Sequence, residues 1–268
     1  MIEESRPKIS GIVVCFNEDL HLDDCLKRLR FCDELIVIDL GSTDKSLLIA
    51  QAHGARIVTH PWVPIVEQVR SFAVQQAKND WIVFMDPDLM FPEDGEKIII
   101  EEITKSPTIG IIYIKYQNYY IGKPLRFGRW GGKRGYPAVL NRRRVIFSSD
   151  VHRGIELKPP YISRNPDTKN DIIVHYWADS KEHLLRKSKR YLEKEGEARY
   201  NKGERTSRNK IITRTIKTLI YSAFIKGGFL DGATGIYLSY LAGWYEWNAQ
   251  YSLLIYQRQS EKSMSVII

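Results

Sequence analysis

Trp81-Ile82-Val83-Phe84-Met85-Asp86-Pro87-Asp88 is an aromatic and β-branched run that stops abruptly at two carboxylates one residue apart. Such a run has the composition of a buried strand. Ligands of open α/β sheets bind just beyond the carboxyl ends of the strands, so the two acids stand where a ligand would be met. Close carboxylates suit a hard divalent cation, which takes oxygen ligands and commonly shares them with substrate phosphates. Pro87 stiffens the turn between them. Taken alone, the same residues also read as a strand exit with two solvated acids, and the surrounding chain has to decide.

Upstream, residues 8–16 (KISGIVVCF) are β-branched and end at Asn17-Glu18, after which Leu22, Cys25, Leu26 and Leu29 recur at helical spacing. Residues 34–39 (ELIVID) repeat the plan. They lead through Gly41-Ser42-Thr43-Asp44, a turn with a helix cap, into a helix over 46–53 closed by Gly54. A short strand over 55–59, a helix over 65–78 and the strand over 81–86 complete the series. Strands alternating with helices of this length predict βαβ units and a mostly parallel, Rossmann-like sheet with helices on both faces. All strand ends then lie along one edge. Asn17, Glu18, Asp39, Asp86 and Asp88 are expected to converge on one crevice, although they are far apart in sequence.

Downstream, residues 92–105 begin with Pro and acidic residues, as a helix does. Beyond them the character changes. Residues 110–117 alternate as a strand, 118–122 turn, 127–135 (FGRWGGKRG) form a basic glycine-rich loop, and three arginines, 142–144, precede a short strand over 145–147. A long charged helix over 180–202 places Lys187, Arg190 and Lys194 on one face. Residues 202–210 are a polar joint, 211–226 a basic amphipathic helix, Gly227-Gly228 a break, and about 234–257 a last helix. Its Tyr237, Tyr240, Trp244, Trp247 and Tyr251 are spaced three and four apart, as one stripe. The expected organisation is an α/β half over 1–109, a second half over 110–179 and a C-terminal helical extension over 180–268.

With 268 residues, 43% hydrophobic and 27% charged, the chain buries a substantial core. Its net charge of +8 favours phosphates, nucleotides, nucleic acid or an anionic membrane without choosing among them. Three cysteines, Cys15, Cys25 and Cys32, lack the spacing of a zinc site and fit a reduced, cytoplasmic setting. The polar N-terminus lacks the form of a signal peptide, and no charge-free run has the length of a membrane span.

Phe16-Asn17-Glu18, Asp39-Leu40-Gly41-Ser42-Thr43-Asp44, Gln68 with Arg70, and residues 81–88 together resemble the donor half of family 2 glycosyltransferases. Val151-His152, Val174-His175-Tyr176, Lys187 with Arg190-Tyr191, and Gly228-Phe229-Leu230-Asp231-Gly232 are similar to the lipopolysaccharide-core glucosyltransferase branch. The resemblance spans about residues 8–256 and is strongest in the first ninety. It implies an A-type glycosyltransferase fold and an inverting transfer, by one in-line displacement, from a nucleoside-diphosphate sugar to a hydroxyl of a cell-envelope glycolipid or polysaccharide precursor. It makes residues 1–109 the donor-binding half and 110–179 the acceptor-binding half.

Phe16, Asn17, Glu18, Asp39, Ser42, Asp44, Arg70 and Asp86 are then the donor-binding candidates. Asp39 and nearby backbone groups can hold a base or ribose through charge-assisted hydrogen bonds. Asp86 and Asp88 can hold Mg2+ or Mn2+ against the diphosphate. The resemblance puts Asp86 nearer the ribose and Asp88 nearer the metal, gives His175 a metal or diphosphate contact, and sets Lys187 and Arg190 on the leaving phosphates. The bland alternatives are a satisfied core histidine and a solvated basic helix face.

Transfer also needs a base for the acceptor hydroxyl. The branch usually has an acid after the Val-His pair and another after the second carboxylate, where this chain has Arg153 and Leu89. Asp150, His152 and Glu156 remain as candidate bases, with Asp150 and His152 preferred. Arg153, Arg129, Lys133 and Arg134 suit an acidic or phosphorylated acceptor, or else belong to a solvated loop. That loop's Arg-Gly content is like RNA-binding segments, but it is short and lies within a folded pattern, so nucleic acid is not the expected partner.

The basic stretch 205–217 and the aromatic helices after it suit peripheral contact with the anionic inner face of the cytoplasmic membrane. Alternatively the stripe packs on the catalytic domain or forms a homo-oligomer seam. Two other functions stay open: a sugar-phosphate nucleotidyltransferase, although the chain lacks an early glycine-rich phosphate loop, and a catalytically silent glycan-binding or scaffold subunit.

Overall fold

The computed structural model describes residues 6–63, 66–147, 155–167 and 171–265. The chain divides into two compact units, Met1–Gln117 with Arg134–His175, and Asn118–Lys133 with Tyr176–Ile268. Each is described by itself.

The first unit opens with β1 (Ile9–Cys15), α1 (Leu22–Arg28), β2 (Glu34–Asp39), α2 (Ser46–Ala52), β3 (Arg56–Thr59), α3 (Glu67–Gln75) and β4 (Trp81–Met85). These follow the expected alternation. β2 and β4 flank β1 and run parallel to it, and β3 runs parallel to β2. The order β3-β2-β1-β4 makes the chain return across β1 after its third strand, so the sheet's switch point lies between β1 and β4. That is where a crevice opens beyond the strand ends. Every residue of β1 is buried, as a strand covered by helices on both faces requires. Ile12, Val14, Ile36, Ile38, Ile82 and Phe84 share one core with Val69 and Ala73 of α3. Each such large side chain contributes roughly 1.5–3 kcal/mol by burial.

Beyond β4 come β5 (Leu89–Met90), α4 (Gly95–Lys105), β6 (Ile109–Tyr120), β7 (Lys123–Pro124), β8 (Lys133–Asn141), β9 (Val145–Phe147), β10 (Ile155–Leu157), β11 (Ile162–Arg164) and β12 (Ile173–Ala178). The sheet continues from β4 through β8, β6 and β12 to β5, with β8 antiparallel to β4 and β12 antiparallel to β5. The result is the A-type α/β fold that the family resemblance implied, with the parallel strands that the sequence pattern indicated. β9 and β10 form a separate antiparallel pair whose connection, residues 148–154, lies outside the described residues.

In the second unit the turn expected over 118–122 is tighter than the sequence indicated. The strand runs to Tyr120, and Ile121 (φ 49°) and Gly122 (φ 71°) alone form a two-residue hairpin into β7. Both central residues adopt left-handed conformations, as a type I′ hairpin requires. The helices are α5 (Lys181–Asn201), α6 (Arg208–Ile220) and α7 (Gly232–Ser265), with a π-helical turn over Tyr221–Ile225 and a 3₁₀ turn over Gly228–Asp231. Ser180 caps α5 by accepting from the His183 amide at 3.0 Å.

Gly196 lets α5 cross α7, since a Cβ there would stand 2.6 Å from the backbone carbon of Ser252. Arg199 grips Glu246 with both terminal nitrogens, at 3.0 and 3.2 Å. α7 outlasts the expected end near 257 because Gln257, Gln259 and Glu261 are helix formers that need no apolar period. The aromatic stripe on α7 is divided. Tyr237 and Trp244 pack on the unit's core, while Tyr240, Trp247 and Tyr251 are exposed. No helix among the described residues is long and apolar enough to cross a membrane.

Candidate active site

The candidate site lies along the carboxyl ends of β1, β2 and β4 in the first unit. Asp39 ends β2 almost fully buried, and its carboxylate accepts from the Gly41 amide (3.1 Å) and the Ser42 amide (3.0 Å). Each oxygen keeps a further lone pair for a ligand hydroxyl or base N–H. Asn17 sits at φ 54°, a left-handed conformation that Asn tolerates better than most residues. Its side-chain oxygen accepts from the Thr43 amide at 2.7 Å, while its own amide donates to Ser42 Oγ at 3.0 Å.

The Glu18 amide donates to Ser46 Oγ at 3.0 Å, and Asp44 accepts from the Asp19 and Ser46 amides at 3.0 and 2.9 Å. Burial works against the Asp44 charge, but the Ser46 hydroxyl and these amides outweigh it and hold the carboxyl below its ordinary range. The side chains of Asn17, Ser42 and Asp44, expected as donor contacts, thus stitch the loop after β1 to the loop after β2. They fix the wall of the crevice.

Arg70, on α3, lies over the Phe84 ring with its guanidinium carbon 5.6 Å from the centroid. Its Nε is buried and has no hydrogen-bond partner among the described residues. Leaving such a donor unpaired is costly, and an arriving phosphate would satisfy it.

At the end of β4 the Leu89 amide donates to the Asp86 carbonyl at 3.0 Å, which closes the turn through Pro87 and starts β5. β5 then pairs with β12 so that His175 stands opposite Leu89. His175 Nε2 comes to 3.2 Å from Asp88 Oδ2, with both side chains mostly buried. Among the described residues no three His, Cys, Asp or Glu side chains cluster around a common point. An ion on Asp88 and His175 would therefore complete its shell with diphosphate oxygens and water, the usual habit of Mg2+ at phosphate sites. The carboxylate suits Mg2+ or Mn2+, and the donor set fits such an ion. Asp86 stands beside the pair without joining it as a third clustered donor.

Three aromatic residues that the sequence reading did not single out line this region. Trp62, exposed just past β3, meets Phe16 edge to face with centroids 6.4 Å apart. It follows a strand's carboxyl end, as Phe16 does, and that was the available signal. Tyr116 meets Tyr136 edge to face with centroids 6.2 Å apart, and its ring lies tilted to that of His175 at 6.0 Å. Burial pushes the Tyr136 hydroxyl well above its ordinary range; the Asp86 carboxylate adds to this, Arg70 opposes it and Asp88 adds again. Tyr136 is accordingly a protonated donor next to the acids. No sequence signal marks it, because Tyr136 falls between the basic loop over 127–135 and the arginines 142–144, where the sequence shows no strand pattern. Burial likewise raises the Cys25 thiol, helped by Asp88 and Asp86, and all three cysteines are free thiols.

Lys187 and Arg190 belong to the second unit, where the Lys187 amine donates to the Trp177 carbonyl at 3.4 Å and Arg190 lies over the Tyr191 ring. Asp150 and His152, with Arg153, lie outside the described residues. Glu156 is exposed on β10.

Comparison with known proteins identifies the family. The sequence model described as Glycosyl transferase family 2 matches residues 10–153. An uncharacterized glycosyltransferase of Rickettsia bellii is 26% identical over 257 residues, 88% of this chain and 82% of the relative. The lipopolysaccharide core biosynthesis glycosyltransferase LpsC of Rhizobium meliloti is 21% identical over 268 residues, 95% and 94% of the two chains. Among solved structures, glucosyl-3-phosphoglycerate synthase from Mycobacterium tuberculosis, in complex with Mn2+ and uridine-diphosphate-glucose, is 24% identical over 42% of this chain and 44% of that one, with a TM-score of 0.35. S. aureus TarS 1-349 in complex with UDP is 22% identical over 42% and 36%, with a TM-score of 0.39. The chain spans less than half the length of these two structures.

Proposed function

Because the chain belongs to glycosyl transferase family 2, we propose that it is a metal-dependent, inverting enzyme. It moves a sugar from a nucleoside-diphosphate donor to a hydroxyl of a cell-envelope glycolipid or polysaccharide precursor at the cytoplasmic face of the membrane. The observation that carries this reading is the Asp88–His175 pair at the same sheet edge as Asp39. The Rhizobium meliloti relative named for lipopolysaccharide core biosynthesis supports the acceptor class.

In this reading Phe16 and Trp62 flank the base, Asp39 receives the base or ribose on its remaining lone pairs, and Arg70 Nε with the Tyr136 hydroxyl binds the diphosphate. Asp88 and His175 hold Mg2+ or Mn2+, which when bound neutralises charge growing on the leaving nucleotide. Arg70 adds a fixed positive charge whose orientation is set before the donor arrives, so little reorganisation accompanies the reaction. The acceptor hydroxyl attacks the anomeric carbon from the face opposite the leaving diphosphate and loses its proton to a base. Asp150 or His152 is the proposed base.

The test is to offer the full chain a panel of nucleotide sugars with a divalent ion and to follow nucleotide release with and without envelope glycolipid extracts. Release that depends on one donor and rises with acceptor supports the proposal. Formation of a nucleotide sugar from a sugar phosphate would make the protein a nucleotidyltransferase, and binding without turnover of any donor would make it a silent subunit.

A further inference from the structure

The glycine-rich loop, which the sequence left open between an acidic-acceptor contact and a solvated basic segment, is built into the second unit. The Gly128 amide donates to the Lys226 carbonyl at 2.8 Å, and the Arg129 amide to Ser222 Oγ at 3.2 Å. The Asp231 carboxylate accepts from the Arg126 and Phe127 amides at 3.0 and 2.9 Å. A Cβ on Gly228 would stand 2.6 Å from the Ser222 carbonyl oxygen, so only glycine allows this approach. The loop is thereby clamped to the π-helical turn at the end of α6, and such turns are frequent at functional sites. Between them lies a groove of about 460 Å³ lined by Arg129, Lys217, Thr218, Ile220, Tyr221 and Ile225. Its lining combines two cations with three largely apolar side chains.

The surface around the groove is apolar and open. Phe224 is 65% and Ile225 72% exposed, and Ile212, Ile216 and Ile220 form an exposed row four residues apart on α6. Large apolar side chains exposed together in this way mark an interaction site. Its charge identifies the partner: residues 205–226 contain six Lys or Arg and no Asp or Glu. A second copy docked on this face through a twofold axis would set the cations of one chain against those of the other, which is repulsive. An anionic bilayer complements both features, taking the apolar side chains at the headgroup boundary and the cations at its phosphates.

We propose that this groove seats the phosphate of an anionic membrane lipid, with Arg129 and Lys217 on the phosphate and Ile220, Tyr221 and Ile225 against the acyl chains. Phe224 enters the headgroup boundary beside it. The proposal gives residues to the membrane contact of the preceding reading, and it uses none of the donor-site residues.

Co-sedimentation of the full chain with phosphatidylglycerol–phosphatidylcholine vesicles, against phosphatidylcholine alone, tests it. The chain is expected to prefer the anionic vesicles and to weaken with salt. Arg129→Gln with Lys217→Gln is expected to bind them roughly thirty-fold less tightly, from about 1 kcal/mol per basic residue. Phe224→Ser with Ile225→Ser is expected to lose binding without a change in melting temperature, because both side chains are exposed. Unchanged binding by either pair, or equal affinity for phosphatidylcholine, overturns the proposal. So does release from the vesicles by millimolar inorganic phosphate with no effect of the two serines, which assigns the groove to a soluble anion. Concentration-dependent dimerisation that Phe224→Ser abolishes while vesicle binding persists assigns the face to a second copy and also overturns it. Failure of the wild type to turn over any nucleotide sugar would defeat the donor reading and leave these binding results intact.

Discussion

His175 Nε2 lies 3.2 Å from Asp88 Oδ2 although 87 residues separate them, because β12 runs antiparallel to the two-residue strand β5 with His175 opposite Leu89. The pairing carries the imidazole to the acid without a loop of its own. Leu89 serves the strand with its backbone, and its side chain is buried.

Arg70 has a buried Nε without a hydrogen-bond partner among the described residues. Replacing it with Gln is expected to raise the donor KM about ten- to hundred-fold, the worth of a charge-assisted hydrogen bond, without lowering the melting temperature. Arg70→Lys is expected to recover little, because a point charge does not reproduce the guanidinium's directed N–H groups. Steady-state kinetics with thermal melts checks both. A large fall in melting temperature with unchanged KM would make Arg70 a structural residue.

Trp62 and Phe16 offer an exposed edge-to-face aromatic pair at the sheet edge. Trp62→Ala is expected to weaken donor or free-nucleotide binding about two- to tenfold, the range of an aromatic contact beyond area burial. Stability should change little. Calorimetric titration with the nucleotide measures this, and identical affinity for the variant would remove the base-stacking role.

Much of this arrangement was legible in the residues. The four parallel strands have strong β-branched runs with helical periods between them, and the rule that strand ends share one edge gathers Asn17, Glu18, Asp39, Asp86 and Asp88 from the residues alone. β5 was not legible, because two residues cannot show a period and its partner lies far along the chain. The place of the loop over 127–132 was equally hidden, since it depends on Gly128 and Gly228 meeting across 100 residues. Ser42 and Asp44 show a different limit. Polar residues at a site's edge can serve the loop's own amides, and sequence alone does not separate that from ligand contact.

Arg199 and Glu246 make a nearly buried ion pair between α5 and α7. Arg199→Met is expected to destabilise the protein by about 3–5 kcal/mol, because it leaves the Glu246 charge without its partner. Adding Glu246→Leu should recover part of the loss.

The same pair sets a pH dependence. Burial opposes the Glu246 charge, but Arg199 outweighs it and holds the carboxyl below its ordinary value of 4.5. The unfolded chain then binds more protons than the folded one, so stability rises with pH through that range. The contribution is complete above about 4.5 and is lost as pH falls through the folded value. Denaturant melts between pH 3 and 7 should show a shallower acid slope in the Met/Leu double variant, and an identical slope would contradict the assignment.

The account rests on Asp88 acting with His175 at the donor's diphosphate. Its most direct test is donor turnover by Asp88→Asn over a Mn2+ titration, with the wild type alongside. The predicted result is a loss of about a hundredfold or more in kcat/KM, with the response to Mn2+ weakened or abolished. Full turnover with an unchanged Mn2+ response would contradict the claim.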